Sequence, residues 1–168
     1  LSNKRVMIID SLNLFLRSYI VNPTMSKDGN PIGGTAGFLK SLQKLSREIK
    51  PDAIIMCWDG RGGSRKRKQV NKNYKEGRAP IRLNRNIKVL NEQQEQENRI
   101  WQMHRTFEYL NNFPVIQLVA DEVEADDLIS YITRYSCFKT SQKVIVSSDK
   151  DFYQLLDDKT ILHRPIQK

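Results

Sequence analysis

The chain has 168 residues, 39% of them hydrophobic, and a formal net charge of +9. That is enough for one globular domain with a sizeable core, and no apolar run is long enough to span a bilayer or to serve as a signal peptide. Its two cysteines, Cys57 and Cys137, lie in otherwise apolar segments, which excludes a disulfide scaffold and suggests free core thiols in a reducing compartment.

In chain order, residues 5–10 read as a buried strand ending in an acid, Asp10, and 11–19 as a helix with Leu12, Phe15 and Leu16 inward. Residues 23–31 form a loop with turn signals at Asp28-Gly29-Asn30. Thr35 can cap the next helix, whose Phe38, Leu42, Leu45 and Ile49 recur at four, three and four before Pro51. Residues 53–59 are a second buried strand, again ending in an acid, Asp59.

The basic charge is concentrated next. Residues 61–88 hold eleven of the 28 Lys and Arg and one of the 19 acids, Glu76, so this segment carries +10 and the remainder −1. A solvated loop would explain three or four lysines. This run is denser and includes Tyr74, which suits phosphate contact with base stacking. It is also glycine-interrupted and short of apolar anchors, so partial disorder without nucleic acid is expected. From about 83 to 112 the pattern is helical, with Ile87 and Leu90 at one end and Ile100, Met103, Phe107 and Leu110 at the other. The wholly polar middle, 91–98, is expected to face solvent or a partner. Residues 115–119 and 144–146 are a third and fourth strand, and Ile161 and Leu162 begin a fifth. Strands alternating with helices mean an α/β fold with a mostly parallel sheet.

Acids crowd residues 121–151. Asp121, Glu122, Glu124, Asp126 and Asp127 precede or open a helix with Leu128, Ile129 and Ile132 inward, and Asp149 and Asp151 follow the fourth strand. Asp121 can act as an N-cap with Glu124 at N3, and Asp149 can cap a helix over 152–156. Capping accounts for one or two carboxylates, whereas seven stand here at strand ends or a helix start. In parallel sheets ligands bind at the carboxyl ends of the strands. Asp10, Asp59, Asp149 and Asp151 lie at that edge, and Glu124, Asp126 and Asp127 start a helix beside it. Such an oxygen-rich set suits Mg²⁺ or Mn²⁺.

Several motifs follow one another along the chain: Ile9-Asp10-Ser11 with Arg17, Gly37-Phe38-Leu39-Lys40-Ser41-Leu42, Trp58-Asp59, Tyr74-Lys75-Glu76-Gly77-Arg78-Ala79-Pro80, Glu124-Ala125-Asp126-Asp127, and Ser148-Asp149-Lys150-Asp151-Phe152-Tyr153-Gln154-Leu155-Leu156. Their order resembles the 5′-nuclease family: flap endonucleases, phage 5′–3′ exonucleases, including phage enzymes called ribonuclease H, and the 5′-nuclease domain of DNA polymerase I. The resemblance implies a PIN-like α/β domain over 1–168, with 61–100 as a basic, helical arch segment. It implies that Asp10, Asp59, Glu124, Asp126, Asp127, Asp149 and Asp151 hold two Mg²⁺ or Mn²⁺ ions, and that Lys75 and Arg78 contact the scissile phosphate. Arg17 contacts substrate or supports the sheet edge. Tyr74 matches a family aromatic, and Arg61, Arg65, Lys66, Arg67, Lys68, Lys72 and Arg82 complete the basic nucleic-acid surface. Glu122 stands where the family often has Gly. The family continues into a helix-hairpin-helix that grips duplex DNA and supplies a further Asp, whereas these residues end at Lys168.

The implied activity is two-metal hydrolysis of phosphodiester bonds near 5′ ends or flaps of DNA, or the RNA end of an RNA–DNA hybrid, in the cytoplasm of a bacterial or phage-infected cell. The helix-hairpin-helix would come from the same polypeptide or from a separate chain. Two rival classes stay open: a PIN-type single-strand ribonuclease, usually smaller and without the Tyr-Lys-x-Gly-Arg-Ala-Pro stretch, and a non-catalytic nucleic-acid-binding subunit.

Overall fold

The computed structural model describes residues 4–63, 84, 86–135 and 137–165. Its centre is β1 (Arg5–Asp10), in which Val6, Met7, Ile8 and Ile9 are all fully buried. A strand that is apolar on both faces belongs in the middle of a parallel sheet covered on both sides. On one side β1 pairs with β2 (Ala53–Cys57), placing Asp10 opposite Cys57. On the other it pairs with β4 (Gln142–Val146), placing Ile9 opposite Val146. β3 (Ile116–Leu118) flanks β2 and β5 (Thr160–His163) flanks β4, giving five strands in the order β3-β2-β1-β4-β5, every pair parallel.

The chain builds outward from β1 through β2 to β3, then returns to the far side of β1 for β4. The strand order therefore reverses between β1 and β4, and the crevice outside their carboxyl ends is the place where such sheets bind ligands. One face is covered by α1 (Ser11–Val21), α2 (Gly33–Ile49) and α3 (Glu92–Leu110), packed on Met7, Ile9, Met56 and Val146. The other face, Val6, Ile8, Ile55 and Ile145, is covered by α4 (Ala125–Tyr135) and the 3₁₀ turn Lys150–Leu155. The strict alternation of strand residues between the two cores is the period-two signature of the pleat. Phe38, Leu42, Leu45 and Ile49 are all buried, as their spacing requires. No helix among the described residues is long and apolar enough to cross a membrane.

Several local expectations are corrected. α2 starts at Gly33, before Thr35, because Gly33 packs so closely on Asn22 that a Cβ there would lie 1.9 Å from the Asn22 carbonyl oxygen. Thr35, inside the first turn, donates its N–H to Gln102 Oε1 at 3.1 Å and its hydroxyl to the Gln102 carbonyl at 2.9 Å. α3 starts at Glu92 and not near 83, because Asn91 and Gln94 form a reciprocal capping box. The polar stretch is thus the beginning of a helix, and part of it faces inward. Glu95 and Gln102 are buried, and Glu95 Oε1 accepts the Asn84 N–H at 2.7 Å and the Tyr19 hydroxyl at 3.4 Å. Ile100 is 46% exposed. α4 starts at Ala125, four residues beyond Asp121, and the helix expected over 152–156 is a 3₁₀ turn begun two residues earlier. Cys57 is buried, but Cys137 is exposed rather than in the core.

Candidate active site

Asp10 is the last residue of β1 and the N-cap of α1. Its Oδ1 accepts the Asn13 N–H at 3.3 Å, and its Oδ2 accepts the Ser147 hydroxyl at 2.9 Å. Ser147 follows β4 directly, so this bond crosses the point where the strand order reverses. Asn13 fastens the same junction, its Oδ1 accepting the Ser148 N–H at 3.2 Å and the Ser148 hydroxyl at 3.0 Å. The Asp149 N–H donates to Ser147 Oγ at 3.1 Å, and Asp149 caps the 3₁₀ turn by accepting the Asp151 N–H at 2.9 Å.

Asp59 reaches the site through a loop with almost no free space. The Gly60 N–H donates to the Val123 carbonyl at 2.9 Å, and a Cβ on Gly60 would lie 1.7 Å from the Ala120 carbonyl oxygen. The Glu122 N–H donates to the Arg61 carbonyl at 3.0 Å. Held this way, Asp59 Oδ1 accepts the N–H of Ala125, the first residue of α4, at 2.8 Å. The start of α4 is therefore held by Asp59, from the loop after β2, where the sequence offered Asp121 as the cap. Glu122 adopts the left-handed conformation, with φ of 62°, which accounts physically for a position that favours glycine.

Asp10 is held well above the usual carboxylate range, at about 6. Burial is the main cause. Hydrogen bonds from Ser147 and Asn13 oppose it, and the charges of Asp59 and Asp149 add to it. Burial, with a smaller push from Asp10, also raises the Cys57 thiol to about 12. Asp10 is thus within electrostatic reach of both Asp59 and Asp149. Glu124 is buried just before α4, Asp126 and Asp127 lie in its first turn, and Asp151 is exposed in the 3₁₀ turn, all at the same sheet edge.

Among the described residues, no three His, Cys, Asp or Glu side chains stand close enough to hold one ion as they are placed. Asp59 and Asp149 each direct one oxygen to a backbone N–H. A carboxylate has two oxygens and about four lone-pair sites, so each retains acceptor capacity. The donor set is all oxygen and anionic, and it includes a desolvated carboxylate repelled by two neighbours. It fits a hard divalent cation.

Arg17 donates through Nη2 to the Pro165 carbonyl, tying α1 to the segment after β5. Arg61 is exposed, next to the loop that carries Asp59. Lys75 and Arg78, with Arg65, Lys66, Arg67, Lys68, Lys72, Tyr74 and Arg82, lie outside the described residues, as does most of the segment expected to order on nucleic acid. Sequence reasoning missed Asn13, Ser147 and Gly60. Their signal is position alone: small polar or glycine residues immediately beyond an apolar strand, beside the acid it delivers.

A family model for the N-terminal, resolvase-like domain of 5′-3′ exonucleases matches residues 5–168. The chain belongs to this family. It is 30% identical over 162 residues to flap endonuclease Xni of Psychromonas ingrahamii, covering 94% of this chain and 55% of that protein. It is 27% identical over 166 residues to a 5′-3′ exonuclease of Aquifex aeolicus, covering 97% and 52%. Against DNA polymerase I of Thermus aquaticus it is 28% identical over 161 residues, covering 95% of this chain and 17% of that one. The chain thus spans about half the length of the first two relatives. Among solved structures, the T5 D15 protein co-crystallised with metal ions matches with a TM-score of 0.69 at 20% identity, covering 96% of this chain and 55% of that one. That likeness carries the fold, and the α/β architecture expected from the motifs is the one observed.

Proposed function

We propose that this domain hydrolyses phosphodiester bonds near the 5′ ends of DNA, on flaps or RNA–DNA hybrids, as the nuclease part of a divalent-metal-dependent 5′-nuclease. The observation that carries this is Asp10, desolvated at the carboxyl edge where the strand order reverses and facing Asp59 and Asp149. Asp10, Asp59, Glu124, Asp126, Asp127, Asp149 and Asp151 would hold two Mg²⁺ or Mn²⁺ ions. Bound there, the ions would supply an activated water and charge stabilisation for in-line attack on the phosphate. Asn13 and Ser147 fix the direction of the Asp10 carboxylate, and Gly60 fixes Asp59. Lys75 and Arg78 would add positive charge where it develops on the phosphate, and the remaining bases of 61–88 would bind the strand. The grip on duplex DNA would come from residues beyond these 168, on the same polypeptide or on a partner, and the setting would be the cytoplasm of a bacterial or phage-infected cell.

The test is cleavage of a 5′-flap DNA, an RNA–DNA hybrid and a plain single-stranded RNA, in Mn²⁺, in Mg²⁺ and in chelator. Expected is metal-dependent release of 5′-terminal products from the first two, faster in Mn²⁺. Lys75→Ala and Arg78→Ala should slow cleavage more than they weaken binding, while Arg65→Ala, Lys66→Ala and Arg67→Ala should mainly reduce binding and its salt slope. Cleavage confined to plain RNA would establish the ribonuclease alternative, and binding without hydrolysis in either metal would establish the non-catalytic one.

A further inference from the structure

The outward face of α3 carries apolar groups that neither core uses. Residues four apart form one stripe on a helix, and on α3 such a stripe runs Glu97, Trp101, Arg105, all three exposed. Ile100, His104 and Glu108 lie beside it, and the six residues line an open groove of about 450 Å³. Ile100 and Trp101 are 46% and 44% exposed and belong to neither hydrophobic core. Arg105 lies over the Trp101 ring, 5.9 Å from its centre, and donates to Glu108 Oε2 at 2.8 Å. Glu97 Oε1 accepts the Gln93 side-chain amide at 2.9 Å.

The stripe is complementary to itself. In a two-fold, antiparallel pair of helices centred on Trp101, each residue faces the one equally far on the other side of Trp101 in the second copy. Glu97 then faces Arg105, twice over, and Trp101 faces Trp101 on the axis. Further out, Glu108 faces the neutral Gln94 and His104 faces Asn98, so no acid meets an acid. An axis midway between Trp101 and His104 would instead set Glu97 against Glu108, and a parallel pair would set each charge against its own copy. Charge therefore selects one arrangement out of three. Arg105 has five N–H donors in a planar fork, enough to keep its own Glu108 and to take Glu97 of the second copy as well. An aromatic centre with ionic pairs at its rim is the usual make-up of a protein interface.

We propose that the outward face of α3 docks a second copy of this chain, antiparallel and centred on Trp101, with Glu97 of each copy paired to Arg105 of the other. The inference is independent of the nuclease reading. One helix face is a small interface, so the association is weak and concentration-dependent, with a Kd on the order of 10–100 µM. The two α3 starts would stand about 27 Å apart along the helix axes, from nine residues on each side of Trp101 at about 1.5 Å per residue. Since α3 follows the basic residues 61–88 in the chain, the pair carries two such stretches on one particle.

The experiment is sedimentation of the 168-residue chain from about 1 to about 500 µM, with reductant present because Cys137 is exposed. A reversible monomer–dimer equilibrium is expected. Trp101→Ala, which leaves both charges in place, should weaken it by roughly ten- to a hundred-fold. Glu97→Arg sets arginine against arginine and Arg105→Glu sets acid against acid, so each variant alone should stay monomeric. Mixed in equal amounts, the two variants should form a heterodimer, because both facing pairs are then of opposite charge. Both positions are exposed, and unchanged far-UV spectra and urea midpoints check that the variants fold. A chain that is monomeric throughout the range overturns the proposal. So does a dimer that survives in either charge variant, or a mixture no more dimeric than its components. Nucleic acid is the other occupant of such a face: a monomeric chain whose affinity for single-stranded DNA falls in Trp101→Ala would assign the stripe to a strand and overturn the dimer. The outcome of the cleavage assay bears on none of these results.

Discussion

The Asp59 loop gives the most demanding test of how this fold builds its site. In Gly60→Ala the added Cβ would sit 1.7 Å from the Ala120 carbonyl oxygen, a backbone atom that no rotamer can move aside. Ordinary C···O contacts begin at ~3.3 Å, so one of the two loops must retreat by more than an ångström. That retreat breaks the 2.9 Å bond from the Gly60 N–H to Val123 and strains the 3.0 Å bond from the Glu122 N–H to Arg61 and the 2.8 Å bond from the Ala125 N–H to Asp59. At about 1 kcal/mol net for each hydrogen bond and 1–3 kcal/mol for overpacking, the expected loss is roughly 3–5 kcal/mol.

Gly29→Ala is the control. Unlike Gly60 it sits at positive φ, 78°, but nothing lies within 4 Å of its Cβ position, so only the conformational cost of about 1 kcal/mol applies. Urea unfolding followed by far-UV circular dichroism and tryptophan emission measures both. Cleavage in Mn²⁺ measures whether Asp59 has moved, and the expectation is a large loss in Gly60→Ala and none in Gly29→Ala. A Gly60→Ala midpoint equal to that of Gly29→Ala would refute the account of how Asp59 is placed.

Three further outcomes follow from single residues. Asp10→Asn removes a buried charge. The folded pKa of about 6 lies above the usual 3.8, so the stability tied to the protonated form is complete below about pH 4 and lost as pH rises through 6. In chelator the variant should match wild type at pH 4 and exceed it by up to about 3 kcal/mol at pH 8, with activity abolished, whereas a gap that does not vary with pH refutes the assignment. Glu122→Gly relieves the left-handed residue at φ 62° and should raise the urea midpoint, by up to about 1 kcal/mol. Gln102→Leu leaves the buried Thr35 N–H without its 3.1 Å acceptor and should cost about 1–3 kcal/mol in the same assay while leaving cleavage below the melting range unchanged.

The parts legible in the sequence are those encoded locally. Val6, Met7, Ile8 and Ile9 are apolar without alternation, and such a run marks a central parallel strand by its composition alone. An acid directly after such a strand must lie at the carboxyl edge, so Asp10, Asp59 and Asp149 could be located from their neighbours alone. What could not be read depends on contacts between distant residues. Glu95 and Gln102 look like solvent-facing polar residues because periodicity counts side-chain polarity and not partners. Their burial depends on Asn84 and Thr35, eleven and 67 residues away. Thr35 and Asp121 had good capping chemistry, but one helix start was taken by a glycine contact and the other by Asp59.

The same long-range contacts explain how an unfavourable site stays folded. Gathering Asp10, Asp59 and Asp149 at one edge raises the energy of the chain, most of all at Asp10, where burial adds to repulsion. Each of the three carboxylates accepts at least one hydrogen bond: Asp10 from Asn13 and Ser147, Asp59 from Ala125, and Asp149 from Asp151. All of these donors except the Ser147 hydroxyl are backbone N–H groups, which no side-chain substitution short of proline removes. They hold the carboxylates in place without neutralising them, and a divalent cation would offset the repulsion that remains. Binding such an ion should therefore stabilise the fold as well as enable the chemistry. The urea midpoint should rise with Mn²⁺ concentration in wild type and rise less in Asp10→Asn, and an equal rise in both would show that Asp10 does not hold the ion.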